Sequence, residues 1–226
     1  MISELRNSTA HVFVDAIDVP VLDEIDAHHL LRVLRVKPRD AVTVSDGKGK
    51  WYSGVLNADA SIKATSEVFT TDAPSWQLTV AFSLVKGDRP EWTVQKLTEI
   101  GIDEIVVLAP TVRSVVRWDH DRSSKNIERL RRVAREAAMQ SRRTWLPNVH
   151  GVTEMSTIAN LFIADPSGVC LDASHRAIAV GPEGGFAPQE TENCDGLVSL
   201  GDTVLRAETA AVSAAVLMSD YRRKRN

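Results

Sequence analysis

The apolar positions of the chain change their spacing near residue 70. Before that point they alternate with polar residues in short runs, which predicts strands at 11–14, 41–45, 51–56 and 62–69. A helical pattern lies among them at 26–36, with Asp26 as its predicted cap and Pro38 as its stop. A glycine turn at 46–50 joins two of the strands into a hairpin. Short strands with a single helix predict a small β-barrel, a fold that often binds RNA.

After a short polar stretch at 70–75, apolar runs alternate with longer helical patterns. Strands are predicted at 78–85, 105–109, 161–164, 177–180 and 197–200, and helices at 90–100, 125–143 and 206–221. A strand, a helix and a strand within about thirty residues are typical of a parallel sheet. We therefore predict an N-terminal domain over 1–71 and a C-terminal α/β domain over 72–226.

Two glycine-containing segments each follow a predicted strand of this sheet. They are 180–186 (VGPEGGF) and 200–210 (LGDTVLRAETA). The carboxyl ends of parallel strands meet at one edge of a sheet, where open α/β folds bind ligands. Glycine allows a backbone to approach a ligand closely, or to take a positive φ, without steric cost. Each segment alone is equally compatible with a simple tight turn, but the two together predict a ligand crevice.

Charge is distributed unevenly along the chain. The net charge of −3 and the isoelectric point of about 6.1 do not by themselves indicate a nucleic-acid partner. Between 113 and 143, however, ten Lys and Arg residues stand against four acids, whereas 150–220 contains two Arg residues and ten acids. Separate basic segments can bind nucleic acid even in an acidic protein, although they can also be no more than a solvated surface.

Composition and motifs exclude several other classes of protein. At 43% apolar and 25% charged residues the chain is ordinary for a globular protein, and no apolar run approaches the roughly 18 residues of a membrane span. No secretory pattern opens the sequence, and two cysteines, Cys170 and Cys194, are too few for a disulfide framework or a zinc site. These observations predict a cytoplasmic protein with no metal ion and no membrane partner.

The glycine segments also lack the patterns of the common nucleotide-binding loops. Neither G-x-G-x-x-G nor G-x-x-x-x-G-K-[ST] is present, and G-x-S-x-G and H-E-x-x-H are absent as well. Segment 180–186 offers backbone donors and acceptors and one carboxylate, Glu183. This combination favours a neutral or cationic adenosyl ligand over a polyphosphate.

Five stretches together resemble the RsmE-type 16S rRNA uridine-N3 methyltransferases of the SPOUT class. They are 29–35 (HLLRVLR); 84–88 with 95–96 and 99–101; 136–141 with Arg143 and Pro147; 181–186 with Glu190; and 200–201 with 205–210. The last two, in that order and spacing, are the most specific. Met139 departs from the family, whose members commonly carry Glu at that position before the Gln.

This resemblance implies a PUA-like N-terminal barrel and a C-terminal α/β domain whose parallel sheet contains a deep trefoil knot. It also implies a homodimer that acts on 16S rRNA of the 30S subunit, with S-adenosylmethionine bound in the knot loops. By analogy with the family, the cofactor-binding residues are Leu161, Ala164, Val180, Gly181, Pro182, Glu183, Gly184, Gly185, Leu200, Gly201, Val204 and Leu205.

Catalytic and RNA-binding roles follow from the uridine substrate that the resemblance implies. Uracil N3 carries a proton at neutral pH, so the enzyme must favour the uracil anion with a base or a nearby cation. We predict that Arg206 is this cation and that Glu183 and Glu208 are candidate bases. The alternative is that Arg206 forms a structural salt bridge with one of the glutamates, or that these cap helices and bond the backbone. Phosphate contacts are predicted for Arg32, Arg35, Arg113, Arg117, Arg142 and Arg143.

The main functional prediction is methylation of a uridine N3 in 16S rRNA with S-adenosylmethionine as the methyl donor. Two alternatives stay open at the level of the sequence. One is a SPOUT methyltransferase that acts on another RNA position, such as a ribose 2′-hydroxyl. The other is a non-catalytic RNA-binding or ribosome-assembly protein that keeps the fold.

Overall fold

The computed structural model describes residues 3–22, 24–192 and 194–225. By its contacts the chain divides into two units, of which the first runs to Pro74 and also takes in Ala138–Leu146. The second unit contains Ser75–Ala137 and the chain from Pro147 onward. The sequence prediction divided the chain once, after residue 71, and did not anticipate that 138–146 returns to the first unit.

A five-stranded sheet forms the first unit. Its elements are α1 (Ser3–Asn7), β1 (Ala10–Phe13), α2 (Glu24–His28), β2 (Ala41–Ser45), β3 (Lys50–Leu56), β4 (Ile62–Ala64) and β5 (Phe69–Thr70). The sheet order is β1-β2-β3-β4 with β5 also paired to β3, and only the β1–β2 pair is parallel. The single strand predicted at 62–69 is wrong. The amides of Thr65 and Ser66 both reach the carbonyl oxygen of Ser53, at 2.8 and 3.2 Å, and this bulge separates β4 from β5.

The helix predicted at 26–36 is shorter and less regular than its pattern indicated. It begins as α2 at Glu24, so Asp26 lies inside the helix and is not its cap. It continues as a π-helical turn, His29–Val33. Arg35 then takes a φ of 53°, a left-handed conformation that no helix of L-residues continues, so the helix ends before it.

The core of the first unit draws on both of its stretches of chain. Phe13 and Leu30 lie in one apolar cluster with Ala138 and Met139 of the returning segment. Met139 is 5% exposed there. Met139, the residue that departs from the family pattern, therefore places an apolar side chain in apolar surroundings.

His11 ties the N-terminal strand to the returning segment. It is 1% exposed, its Nε2 lies 2.9 Å from the carbonyl oxygen of Arg143, and its Nδ1 lies 2.8 Å from the hydroxyl of Thr43. A carbonyl can only accept, so the neutral ring donates from Nε2 and accepts at Nδ1 from the hydroxyl. Burial lowers the pKa of His11 from 6.5 to about 4, because the charged ring would lose its hydration.

This buried imidazole should make the first unit sensitive to mild acid. Above pH 6.5 the ring is neutral in both the folded and the unfolded chain, whereas between 6.5 and about 4 only the unfolded chain binds the proton. We expect His11 alone to lower the free energy of unfolding by about 3 kcal/mol over that interval. Urea unfolding followed by tryptophan fluorescence measures the effect. The His11→Gln variant should lose the extra pH dependence, and an identical slope in both proteins would contradict this account.

A six-stranded parallel sheet forms the second unit, which confirms the predicted α/β class. Its elements are β6 (Thr79–Phe82), α3 (Arg89–Ile100), β7 (Glu104–Leu108), α4 (His120–Gln140, whose last three residues belong to the first unit), β8 (Asn148–Thr153), β9 (Leu161–Cys170), β10 (Ala177–Val180), α5 (Pro188–Thr191), β11 (Gly196–Ser199) and α6 (Ala207–Arg225). The strand order is β11-β9-β10-β6-β7-β8, and every neighbouring pair is parallel.

Both faces of this sheet are covered. Val80 and Phe82 of β6 belong to one apolar cluster, while Ala81 between them belongs to another. A strand that is buried on both faces reads as a continuous apolar run, which is the pattern that predicted these strands. Within the described residues, no helix is both long enough and apolar enough to cross a membrane.

Strand β9 is longer than predicted and is interrupted on one side. Its pairing with β11 jumps from Ile163 to Val169, so that 164–168 leave the register where a loop was predicted at 165–168. Strand β8 was not predicted at all, because polar residues and Gly151 leave Asn148–Thr153 without an apolar run. The out-of-register residues of β9 lie at the edge of the sheet that the glycine segments follow.

A buried ion pair anchors the last turns of α6. Arg222 pairs with Asp103, and their side chains are 14% and 9% exposed. Arg222 also donates to the carbonyl oxygens of Trp76 and Gly101, at 3.1 and 2.7 Å. Asp103 in turn accepts from the amide of Leu78 at 3.0 Å. The C-terminal helix is thus fastened to the start of β6 and to the turn that follows α3.

Candidate cofactor site

A cavity of about 430 Å³ opens at the carboxyl ends of β10 and β11, beside the out-of-register residues of β9. Three segments line it. The first is 163–166, the part of β9 where its pairing with β11 is interrupted. The others are 180–186 except Gly184, after β10, and 200–207 except Asp202, between β11 and the start of α6. Thr191 and Ala210 complete the lining. Its volume lies in the range of roughly 300–1,000 Å³ that small-molecule sites occupy. This is the edge of the sheet at which the two glycine segments predict a ligand crevice.

The lining combines apolar walls with two carboxylates and a single cation. Ile163, Val180 and Leu205 supply apolar surface, and Asp165 and Glu183 supply the acids. Among the described residues, Arg206 is the one Lys or Arg in the lining. A polyphosphate would meet more negative than positive charge here. A ligand with an apolar base, a sulfonium, an ammonium and one carboxylate matches the donor set, so the residues present fit S-adenosylmethionine.

Asp165 keeps its negative charge at the cavity. Its Oδ1 accepts from the hydroxyl of Ser167 at 2.6 Å and from the amide of Ser167 at 2.8 Å. These two hydrogen bonds hold the pKa of Asp165 below its ordinary value, because both donors favour the ionised carboxylate. An ionised carboxylate in this position suits the cationic part of such a ligand.

The structure brings ten of the twelve predicted cofactor residues to the cavity. They are Ala164, Val180, Gly181, Pro182, Glu183, Gly185, Leu200, Gly201, Val204 and Leu205. Leu161 is instead 1% exposed in the apolar core of the sheet. Gly184 lies outside the lining, against the side chain of Arg113.

Two of the three predicted catalytic side chains meet at an arginine that the sequence did not single out. Nη1 of Arg89 lies 3.2 Å from Oε1 of Glu183, and its Nε lies 3.7 Å from Oε1 of Glu208. Glu183 is 71% exposed and lines the cavity, whereas Glu208 is 15% exposed and lies outside the lining. Arg89, at the start of α3, therefore connects the loop after β10 to the first turn of α6.

Arg206 is placed differently from these glutamates. Its side chain is exposed and lines the cavity. Within the described parts of the chain it makes no ion pair, since Glu183 and Glu208 both pair with Arg89. The guanidinium of Arg206 is thus available to a ligand or a substrate.

A carboxylate outside the cavity fixes the position of the loop after β10. Oε1 of Glu190 accepts from the amide of Val112 at 2.8 Å, and its Oε2 accepts from the amide of Ala187 at 2.7 Å. Nη1 of Arg113 donates to the carbonyl oxygen of Gly184 at 2.7 Å. The connection that follows β7 is therefore bonded to the chain after β10 at two points, Gly184 and Glu190.

The predicted RNA-binding arginines fall into two groups. The structure leaves four of the six exposed, namely Arg32, Arg35, Arg113 and Arg117. Arg142 is half-buried and donates to the carbonyl oxygens of Met139 and Ser8, at 3.0 and 2.9 Å. Arg143 is half-buried as well, and its carbonyl oxygen bonds His11. Arg142 therefore fastens the returning segment to the N-terminal part of the first unit.

Sequence reasoning missed Arg89 and the clamping role of Glu190. Arg89 follows a turn and begins a helix, and no local spacing connects it with residues 183 and 208. Glu190 lies in the stretch that carries the family resemblance, which could have singled it out. The family analogy placed Asp165 in a cofactor loop over 161–165, directly after the predicted strand 161–164, but gave it no role of its own.

Two glycines of the same segment offer a matched test of the site. A Cβ on Gly181 would lie 3.0 and 3.1 Å from ring atoms of Phe186, which lines the cavity, whereas a Cβ on Gly184 would lie 3.4 Å from Arg113. We expect Gly181→Ala to weaken S-adenosylmethionine binding about tenfold because the ring must move, and Gly184→Ala to leave it unchanged. Titration calorimetry measures both. Equal affinities in the two variants would refute the placement of the cofactor.

Comparison with known families adds an independent finding. Residues 71–219, more than half of the chain, match the RNA methyltransferase domain model, and residues 22–69 match the RNA methyltransferase PUA domain model. Together with the parallel sheet and its cavity, these matches define the chain as an RNA methyltransferase with an N-terminal PUA-like domain.

Relatives narrow this class further. Ribosomal RNA small subunit methyltransferase E of Mycobacterium bovis is 30% identical over 221 residues, which cover 87% of this chain and 84% of the relative. The Bacillus subtilis protein of that name is 28% identical and covers 86% and 87%. The Neisseria gonorrhoeae protein of that name, in a crystal structure with S-adenosyl methionine, has a TM-score of 0.73 at 26% identity and covers 93% and 97%. The chain belongs to the ribosomal RNA small subunit methyltransferase E family.

Proposed function

We propose that this protein transfers a methyl group from S-adenosylmethionine to N3 of a uridine in 16S rRNA of the small ribosomal subunit. The observation that carries this proposal is the cavity beside β9, β10 and β11, which presents two acids and Arg206, a cation with no ion pair among the described residues. Family membership supports the substrate, because the names of the relatives specify small-subunit ribosomal RNA. The Neisseria gonorrhoeae structure supports the cofactor.

Arg206 has the central role in the proposed mechanism. When bound, S-adenosylmethionine supplies a methyl group on a positively charged sulfur. Loss of the N3 proton places negative charge on the uracil ring and makes N3 a nucleophile. The bond that N3 then forms to the methyl group, as the bond from methyl to sulfur breaks, consumes this charge. The guanidinium of Arg206 stabilises that charge more than it stabilises the neutral base, which lowers the barrier to transfer.

The proton has a separate acceptor in this scheme. Glu183 lines the cavity and is 71% exposed, so it accepts the N3 proton and passes it to solvent. Glu208 lies outside the lining and supports the first turn of α6 through Arg89. N3 is buried in a base pair in duplex RNA, so the target uridine enters the cavity unpaired or flipped. The exposed Arg32, Arg35 and Arg117 hold phosphates of the surrounding RNA.

Radiolabelled cofactor and 30S subunits that lack the modification test the proposal. Label recovered as 3-methyluridine supports it, and subunits that already carry the modification should take up none. Label on a ribose 2′-hydroxyl would replace it with methylation at another position. Retention of RNA without any label would leave a binding or assembly protein. Chromatography of the nucleosides after complete digestion distinguishes these outcomes.

We further propose that the segments around the cavity form a trefoil knot. A Cβ on Gly168 would lie 2.4 Å from the amide nitrogen of Val198 and 2.5 Å from the carbonyl carbon of Leu197. The backbones of β9 and β11 therefore approach so closely that only glycine fits between them. This close approach, together with the order β11-β9-β10, supports a chain that passes through its own loop.

A homodimer that works in the cytoplasm completes the proposal. Several apolar side chains of the second unit are exposed, namely Val216 on α6 at 50%, Val204 at 88%, and Val112 and Val115 at 69% each. Contact with a second copy would remove this apolar surface from water. Light scattering on the purified protein should give the mass of two chains. The cytoplasm is where small ribosomal subunits are made and used.

A further inference from the structure

Four basic residues form a stripe along the outer face of α4. Arg122, Lys125, Arg129 and Arg132 are spaced by three, four and three residues, which places them on one side of a helix, and all four are exposed. The other side of α4 is buried in the apolar core, through Ile127 and other residues. From the first to the last of these residues the helix rises about 15 Å. We call these four residues the α4 basic stripe.

The charge of the stripe is only weakly neutralised. Lys125 and Arg132 make no ion pair within the described residues. Arg122 pairs with Asp119 at 3.3 Å while its side chain stays 78% exposed. Arg129 pairs with Glu91 at 3.2 Å and stays 60% exposed. Exposed ion pairs are weak and are screened by salt, so the surface keeps a positive potential.

Helix α3, which carries an exposed aromatic side chain, is joined to this stripe by an ion pair. Trp92 of α3 is 43% exposed and follows Glu91, which pairs with Arg129. Arg89, in the same turn of α3, pairs with Glu183 of the cavity. The first turn of α3 therefore contacts the stripe on one side and the cofactor cavity on the other. A chain of direct contacts within the second unit connects the two.

We propose that the α4 basic stripe and Trp92 form an RNA-binding surface next to the cofactor cavity. The four cations hold successive phosphates of the substrate RNA, and the indole of Trp92 stacks on an unpaired base. A row of positive charges matches the regular negative charge of a nucleic-acid backbone. Proteins that bind single-stranded segments combine such charges with aromatic side chains on which the bases stack. The inference rests on the proposed function and adds a surface that is separate from the predicted arginines.

Removing two charges tests the stripe. Lys125→Ala combined with Arg132→Ala should lower the dependence of log K on log salt by about 1.4 to 1.8, since each phosphate contact contributes about 0.7 in single strands and 0.9 in duplexes. Filter binding of an unmodified 16S rRNA transcript between about 50 and 200 mM salt measures this slope. Arg223→Ala combined with Arg225→Ala removes two exposed charges from the end of α6 and should leave the slope unchanged. Equal slopes in the two double variants would overturn the proposal.

Trp92→Ala tests stacking separately from charge. RNA affinity should fall about tenfold while the salt slope keeps its wild-type value, because stacking releases no counterions. In the methylation assay, both the stripe variant and Trp92→Ala should raise KM for RNA. Turnover at saturating RNA should stay unchanged, and so should the affinity for the cofactor. A drop in turnover with unchanged KM would assign these residues to the structure of the site.

Two further outcomes separate the surface from the activity. A wild-type protein that binds the transcript but transfers no methyl group to unmodified 30S subunits would refute the proposed function, and the salt slopes would still decide whether the stripe binds RNA. Variants that bind the naked transcript normally but no longer bind 30S subunits would overturn RNA as the partner and point to a ribosomal protein. Circular dichroism and thermal melting of each variant confirm that the exposed substitutions leave the fold intact.

Discussion

Replacing Arg206 with alanine should lower turnover about 100-fold while S-adenosylmethionine affinity stays within about threefold of wild type. The side chain is exposed and makes no ion pair within the described residues, so its loss disturbs no packing. What is lost is stabilisation of negative charge on uracil, which is present once N3 has lost its proton and is absent in the neutral base that binds. Single-turnover methylation of 30S subunits and calorimetry with the cofactor measure the two quantities separately.

The pH dependence of this defect distinguishes its causes. At higher pH uracil N3 loses its proton without help, so the deficit of Arg206→Ala should shrink as the pH rises. Arg206→Lys keeps the positive charge and should recover part of the lost rate, but not all of it, because an ammonium lacks the planar fork of a guanidinium. A deficit that is constant with pH, or a loss of cofactor affinity as large as the loss of turnover, would remove Arg206 from this role.

Asp103→Ala should lower the free energy of unfolding by about 3 to 5 kcal/mol. The substitution leaves the guanidinium of Arg222 largely buried without its counter-ion, and it deprives the amide of Leu78 of its acceptor. Since both partners are at most 14% exposed, water cannot replace the lost contacts at low cost. Urea or thermal unfolding of the purified protein measures the loss.

A double-mutant cycle makes this prediction specific. Arg222→Met removes the buried cation, so the combination with Asp103→Ala should be clearly more stable than the sum of the two single losses predicts. Asp220→Ala is the matched control, because Asp220 pairs with Arg223 and Lys224 at the exposed end of the same helix. That variant should unfold like the wild type. Additive losses in the cycle would mean that the pair contributes nothing beyond the packing of its side chains.

The sequence predicted most closely the elements whose residues are buried along nearly their whole length. β2 and β10 coincide with their predicted ranges, because β10 is buried on both faces and β2 on all but its first residue. β8 was missed, since it lies at the edge of the sheet and contains few apolar residues. The return of 138–146 to the first unit was missed for another reason. It depends on contacts such as the one between His11 and Arg143, which are 132 residues apart and leave no periodicity.

The candidate site shows the same division between local and distant information. Glycine segments that follow buried strands are local features, and they predicted which strand ends line the cavity. The pairing of Arg89 with Glu183 and Glu208 joins three separate segments, so it could be found only once the chain was folded. Leu161 and Gly184 were assigned to the cofactor site by their position in a motif. Leu161 is buried in the core and Gly184 lies against Arg113, and both placements depend on neighbours that a motif does not contain.

The returning segment has a consequence for how the protein is made. The first unit needs Ala138, Met139 and Leu146 to cover its apolar core, and these residues leave the ribosome only after all of Ser75–Ala137 has been synthesised. A nascent chain that stops at the end of the first unit's sheet therefore exposes an incomplete core. A fragment cut at residue 74 for separate expression would carry that same exposed face, and it should aggregate unless the 138–146 segment is supplied with it.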